Sequence, residues 1–481
     1  MTLGLIALAS LAVTCDQSAP PAPALAARRC TIPPLGVDEW RVHTDGTHFR
    51  DERGRELFLR GVNAGGRSKF APFVPFDYPS GGFDTALAQY LDRAAAWGVD
   101  VLRLPFSWAG VEPAQGADDA DYLARYDAMI DAAWARGIWV VVDFHQDAYS
   151  EVYCGDGFPA WTIPDPHPSP HHDCPNWITD SLTDPGVKAA WDAFWANGST
   201  TRAAYLSLWN RMATRYVDRA GVLGFELLNE PGVGSVTDTN TWESTVLTSF
   251  YSDVIAHVRA VAASTLIFVE PIGADGVSAT TTLARPVGEG LVFAPHYYQL
   301  TAFSDGPLRP DEVSGSVQSW ASTAAAWSVP LFLGEFGVSN TNSDAATLMT
   351  AHFDAFDALG VSGTEWEYSV AAESWNSETL GMVGADGTAF PVAFAIVRPY
   401  ARAVAGTAIV SAYDASSGVY TLSFAPSLGT VFSDVSVPPA AYPTGSALTL
   451  TGACVDDSTP GRLRLLADEG ATSVRLRVDP R

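Results

Sequence analysis

Glu230 and Glu335 are set apart by their positions. Glu230 closes the run VLGFELLNE (222–230), and Glu335 sits inside PLFLGEFGV (330–338). Each places a carboxylate at the end of a short apolar segment, where a buried strand would deliver it into a cleft. Two carboxylates facing one another about 5 Å apart can split an acetal bond with retention, one as acid then base, the other as nucleophile. The acid must hold its proton while its neighbour stays ionised, a division that close like charges favour. Similar runs end in other polar groups. Asn63 lies in the run at 56–64 and Arg67 and Lys69 follow it, Arg103 lies in 99–108, and Asp143 and His145 end 137–145 with Asp147 just beyond. Glu270 lies in 265–272, His296 and Tyr298 in 290–298, and Glu365, Trp366, Glu367 and Tyr368 in 363–369. Asn229 is placed to bond a sugar 2-hydroxyl beside Glu230. Tyr298 and Arg103 are placed to hold Glu335 ionised, and Trp366 to floor the sugar site. Glu270 and Glu367 read as structural hydrogen-bond acceptors.

These residues need a frame that gathers strand ends. Eight runs supply it: ELFLRGVNA, VDVLRLPFSW, GIWVVVDFH, VLGFELLNE, TLIFVEPI, GLVFAPHYY, PLFLGEFGV and GTEWEYS. They are nearly continuous in Val, Ile, Leu and Phe rather than strictly alternating, as strands buried on both faces require. Helical patterns lie between them, at 119–136, 200–219, 241–263 and 344–359. The alternation predicts an α/β fold, a (β/α)8 TIM barrel over 37–405, whose catalytic groups gather at the C-terminal strand ends. The long insertion at 146–199 would form part of the site wall. Residues 406–481 change character: AIVSAY, YTLSFA, ALTLTG and SVRLRV alternate between Gly, Pro, Ser and Asp, predicting a small antiparallel β-sandwich.

Composition sets outer bounds. The 481 residues carry 28 basic and 54 acidic side chains, a net charge of −26, with Lys69 and Lys188 the only lysines. Such an acidic chain without a basic cluster is a poor ligand for nucleic acid or an anionic surface. At 47% hydrophobic and 17% charged it can bury a large core. Its 15 Trp, 16 Tyr and 23 Phe supply the aromatic faces that sugar clefts use.

Residues 1–36 read as an export signal and a Pro/Ala-rich linker. MTLGLIALASLAVT is apolar and uncharged, too short to span a bilayer but long enough for a signal core. Cys15 directly after it resembles a lipoprotein cleavage site, so the address is secretion or lipid anchoring at the cell envelope. Four further cysteines suit export. Cys154 and Cys174 bracket a Pro/His-rich loop, which leaves Cys30 to pair with Cys454. The alternatives are four free thiols, or zinc held by His167, His171, His172 and Cys174 without CxxC or HExxH spacing.

LLNEP, APHYY, FLGEFG and EWEYS together resemble glycoside hydrolase family 5, a retaining (β/α)8 group. DFHQDAYS (143–150), GFPAW (157–161), RGVNAGGRSK (60–69) and VRPYARAVAGT (397–407) are similar to its endoglycoceramidase subfamily. The resemblance spans about 37–481. It implies Glu230 as acid/base and Glu335 as nucleophile, with Asn229, His145, Asp147, Tyr298, Trp366, Lys69 and Trp161 around the sugar. The segment GGRSKFAPFVPFDYP (65–79) departs from the pattern. Its Phe70, Phe73, Phe76 and Tyr78 either form an exposed rim for a ceramide or pack beneath the barrel top. Three functions follow: an endo-acting glycosidase releasing glycan from glycosphingolipid; a relative acting on glucosylceramide, steryl glucoside or β-glucan; or a non-catalytic glycan-binding protein. No metal or organic cofactor is called for, because two carboxylates and water suffice. The partners expected are a β-glycoside substrate and a lipid or micelle surface, with the chain a monomer.

Overall fold

The computed structural model describes residues 27–33, 39–164, 166–170, 177–371, 379–427 and 431–481. The apolar stretch 1–14, Cys15, His171, His172 and Cys174 lie outside them.

Eight parallel strands coincide with the eight runs, the last starting one residue earlier. They are β1 (Arg60–Asn63), β2 (Val101–Phe106), β3 (Trp139–Phe144), β4 (Val222–Glu226), β5 (Leu266–Val269), β6 (Leu291–Phe293), β7 (Phe332–Leu333) and β8 (Ser362–Glu365). They pair in the order β7-β8-β1-β2-β3-β4-β5-β6. A parallel bridge from Phe293 to Leu331 joins β6 to β7 and closes the barrel. Just beyond this seam His296–Tyr297 pairs in parallel with Glu335–Phe336, with His296 opposite Glu335. Helices including Phe83–Ala96, Ala120–Trp134, Thr200–Tyr216, Pro310–Trp327 and Ala345–Leu359 cover the outside. Asp119 and Ser199 cap two of them by accepting from the backbone N–H of Tyr122 and Arg202.

The barrel interior changes chemistry along its axis. Val101, Val141, Phe268 and Ala294 belong to one buried apolar cluster. Two residues further along each strand, on the same face by the pleat, stand Arg103, Asp143, Glu270 and His296. A two-residue step therefore takes the interior from a dry plug to an ionisable layer at the C-terminal mouth.

The insertion after β3 is held by aromatic packing. Tyr149 stacks on Phe158 at 4.1 Å, and Trp191 and Phe194 meet Phe158 edge-on. Cys154 is disulfide-bonded. Its expected partner Cys174 is outside the described residues.

The C-terminal region forms two antiparallel sheets. The four predicted runs make one, ordered Gly406–Asp414, Val419–Pro426, Val474–Pro480, Ser446–Thr451. Its inner face alternates as predicted: Tyr420, Leu422 and Phe424 meet Val474, Leu476 and Val478 in a separate core. The other sheet has seven strands and draws on both ends of the chain. Val42–Asp45, His48–Asp51 and Glu56–Leu57 join it, and Tyr400–Val404 pairs with Glu56–Leu57. Residues 42–57, expected within the barrel segment 37–405, thus contribute strands to the sandwich. The run ELFLRGVNA is shared, with Glu56–Leu57 in one sheet and Arg60–Asn63 in the other. Cys30 is bonded to Cys454, tying the N-terminal arm to this module. Arg402 locks the module to the barrel floor through Asp100 at 3.1 Å and the face of Trp139 at 4.7 Å.

Candidate active site

Arg103 is the hub of the mouth. It is fully buried, and it makes four hydrogen bonds. Nε donates to Glu226 at 2.7 Å, Nη1 to Asn63 at 3.0 Å and Glu335 at 2.7 Å, and Nη2 to Asn229 at 2.7 Å. Asp143 lies 3.1 Å from Nη2. Glu335 also accepts from the Tyr298 hydroxyl at 2.9 Å. Burial raises the Glu335 carboxyl, but His296, Arg103, His145 and Lys69 outweigh it and hold the group below the usual carboxylate range. It is an ionised, doubly anchored carboxylate, the state a nucleophile needs.

Glu230 faces it. His296 Nδ1 lies 2.8 Å from Glu230 Oε1 and 3.6 Å from Glu335 Oε2. One oxygen of each glutamate and a His296 nitrogen all lie within 4.8 Å of one another. Unlike Glu335, the Glu230 side chain is 30% exposed, so it reaches toward solvent and an incoming leaving group. Its backbone has φ of 40°, a left-handed conformation that costs a non-glycine residue free energy unless its surroundings enforce it. Gln146 enforces it: its amide donates to the carbonyls of both Asn229 and Glu230, and Asn229 Nδ2 returns a bond to the Gln146 carbonyl.

Gly273 borders the same carboxyl. A Cβ there would stand 2.7 Å from Glu230 Oε2. The nearest atoms are the carboxyl end of Glu230, with its Cβ at 3.2 Å, so Gly273→Ala displaces the acid at a small folding cost. The expected result is a fall in kcat of about 10- to 100-fold with an unchanged melting temperature, read by steady-state kinetics beside calorimetry.

A second cluster completes the floor. Trp366 is buried and lies parallel to His145, ring centres 5.3 Å apart and planes 8° from parallel. Lys69 Nζ lies 4.5 Å above the Trp366 ring and donates to Asp147. Gly65 is required by this packing, because a Cβ would meet the indole at 2.6 Å. Burial opposes the charge on His145, but Asp143 at 2.8 Å and Asp147 at 3.4 Å raise its pKa to about 10. Burial also opposes the Asp147 carboxylate, which Lys69 and His145 hold far below the usual range. A folded-state pKa above the free value of about 6.5 contributes stability that is complete below pH 6.5 and lost as pH rises toward 10. Denaturant titrations should therefore show wild type losing on the order of 2 kcal/mol more than His145→Gln between pH 6.5 and 10.

Of the predicted residues, Arg103, Asn229, Glu230, His296, Tyr298 and Glu335 form one network, and Lys69, His145, Asp147 and Trp366 the adjoining one. Trp161 stands apart. Its indole N–H donates to the Glu112 carbonyl at 3.0 Å and its ring packs edge-on against Trp108. The segment at 70–78 turns inward instead of forming an apolar rim. Phe70 and Phe76 are buried, Phe76 packs on Phe83 and Tyr90, and Phe73 packs on Tyr122. Three residues outside the predicted set belong to the site: Glu226, Gln146 and Asp156. Burial, then Asp147, raises the Asp156 carboxyl well above its usual range. A charge inside an otherwise apolar strand was the available sign of Glu226, since it must face a partner such as Arg103.

A closed parallel barrel with two carboxylates this close at its mouth defines a retaining glycosidase of the TIM-barrel class. Residues 62–372 match the profile described as cellulase, glycosyl hydrolase family 5, and residues 398–478 match the glycoside hydrolase family 5 C-terminal domain. The chain belongs to glycoside hydrolase family 5. It is 28% identical over 459 residues to endoglycoceramidase I of Rhodococcus hoagii, covering 91% of this chain and 88% of that protein. Endo-glycoceramidase II from Rhodococcus sp., solved with ganglioside GM3, superposes with a TM-score of 0.75 at 26% identity, over 91% of this chain and 100% of that one. The same protein's lactosyl-enzyme intermediate superposes with a TM-score of 0.73 at 26% identity, over 90% of this chain and 100% of that one.

Proposed function

We propose that this enzyme hydrolyses the β-glycosidic bond between glycan and ceramide in glycosphingolipids. The observation that carries the chemistry is the approach of Glu230 and Glu335 to within 4.8 Å. That spacing suits direct attack by a carboxylate, whereas inversion needs about 6.5–9.5 Å to admit a water. Likeness to endoglycoceramidases across both barrel and β module supports the substrate class.

Glu335, fixed by Arg103 and Tyr298, attacks the anomeric carbon while Glu230 protonates the departing ceramide oxygen. Asn229, anchored on Arg103 and the Gln146 carbonyl, meets the sugar 2-hydroxyl, a contact that strengthens in the transition state. Ceramide leaves. Glu230, now ionised, takes a proton from water, and the water displaces Glu335 to release the glycan with its configuration retained. Lys69, Asp147, His145 and Trp366 grip the sugars.

Contact with lipid falls to loops other than 70–78. Ile178 and Leu182, one turn apart on the short helix Trp177–Thr183, are 42% and 64% exposed, and Leu300, two residues past Tyr298, is 80% exposed. These exposed apolar side chains, in segments that follow β3 and β6, suit a micelle or membrane surface. The enzyme acts as an exported monomer, secreted or lipid-anchored; the apolar start of the sequence and the Cys30–Cys454 disulfide support that address.

The test is product analysis with ganglioside, lactosylceramide, glucosylceramide, galactosylceramide and a soluble β-glucan, each incubated separately in detergent. Intact oligosaccharide plus free ceramide is expected. Cleavage of the glucan alone would refute the substrate class.

A further inference from the structure

We propose that Glu270, directly after β5, is a positioning residue for the acid/base Glu230 and acts through the His296 ring. The inference rests on Glu230 being the acid/base and goes beyond it by assigning a role to a carboxyl that touches no substrate.

His296 bridges two carboxyl groups. Nδ1 faces Glu230 Oε1 at 2.8 Å, and Nε2 lies 3.3 Å from Glu270 Oε2. His296 and Glu270 are both almost wholly buried. No aligned hydrogen bond reaches Nε2 among the described residues in the resting structure, and catalytic hydrogen bonds are often long before substrate binds.

Of the four carboxylates around Arg103, Glu270 is the most distant. Arg103 donates to Glu226, Asn63, Glu335 and Asn229, and Asp143 lies 3.1 Å from its Nη2. The Arg103–Glu270 separation is 4.0 Å, too long for a hydrogen bond. The groups facing Glu270 are otherwise acidic: Glu226 on β4, Glu230 after it and Asp143 on β3, while the Tyr251 hydroxyl is spent on the Glu270 carbonyl. Burial first, then Glu226, holds the Glu270 carboxyl well above its usual range. Burial opposes the charge on His296, but Glu335 and Glu230 raise its pKa, so its Nε2–H faces the Glu270 carboxyl oxygen as an acceptor. That acceptor fixes the ring with Nδ1–H aimed at Glu230 Oε1. Glu230 then carries its own proton on Oε2, toward the leaving group, and the Nδ1–H bond stabilises the carboxylate left when that proton departs.

A neutral partner is replaceable by an amide, and its effect must depend on how much the leaving group needs a proton. E270Q and E270L are to be compared with wild type on lactosylceramide and on 2,4-dinitrophenyl β-lactoside, whose phenolate leaves without protonation. The expected result for E270L is a kcat/KM lower by about 10- to 100-fold on lactosylceramide but within about threefold of wild type on the dinitrophenyl substrate. E270Q should stay within about threefold on both. The dinitrophenyl rate also reports the folded fraction of each variant. Equal losses of E270L on both substrates, no loss on either, or a loss in E270Q matching that of E270L would overturn the proposal. Wild-type enzyme inactive on lactosylceramide would instead contradict the glycolipid reading.

Discussion

Glu335→Ala is expected to fold normally and to lose at least about 10³-fold in kcat, on the order of 4 kcal/mol of transition-state stabilisation. The size follows from the role: without the carboxylate no covalent intermediate forms. Folding survives because Arg103 keeps Glu226, Asp143, Asn63 and Asn229 as partners. Azide added to this variant should enter the vacated space and yield a glycosyl azide of inverted configuration. Azide added to Glu230→Ala should give the retained anomer instead, because Glu335 is still present to form the intermediate. Rates and product stereochemistry by NMR check both, and more than about 1% residual activity in Glu335→Ala would remove Glu335 from its role.

Arg103→Leu is expected to be the most damaging substitution for stability. Arg103 is fully buried and contacts three carboxylates within 3.1 Å, Glu226, Glu335 and Asp143. Removing the cation leaves those charges in a low-dielectric interior, and breaking a buried pair in this way costs about 3–5 kcal/mol. Arg103→Lys restores one charge but not the fork, since an ammonium has three donors and cannot serve five acceptors. Calorimetry should show Arg103→Leu melting at least about 5 °C below wild type, Arg103→Lys between them, and neither hydrolysing substrate. A melting temperature equal to wild type in Arg103→Leu would contradict the hub assignment.

The barrel was legible because strands buried on both faces leave continuous apolar runs, and polar residues at the ends of such runs have few reasons to be there. Glu230, Glu335 and Arg103 were visible on that basis alone. The same continuity hid Glu226. Without alternation, a residue's position in a run does not say whether it points into the barrel or out to the helices, and that choice is fixed by register. The surroundings of Glu270 were hidden for a related reason, because its distances to Arg103 and His296 depend on how three strand ends meet in space. Aromatic spacing at 70–78 was equally silent on direction, and the Phe83 and Tyr90 side chains of the neighbouring helix decided it by offering an apolar surface. Residues 42–57 joined the C-terminal sheet through pairing across some 350 positions of sequence, which no local pattern encodes. The distant Cys30–Cys454 bridge, by contrast, was accessible from parity, because Cys154 and Cys174 were matched by the loop they bracket.

The most direct test of the central claim is the anomeric configuration of the first product from lactosylceramide, followed by proton NMR before mutarotation. The account predicts intact lactose released as the β anomer together with free ceramide. Release of the α anomer would contradict a nucleophilic Glu335, and release of galactose would contradict an endo-acting enzyme.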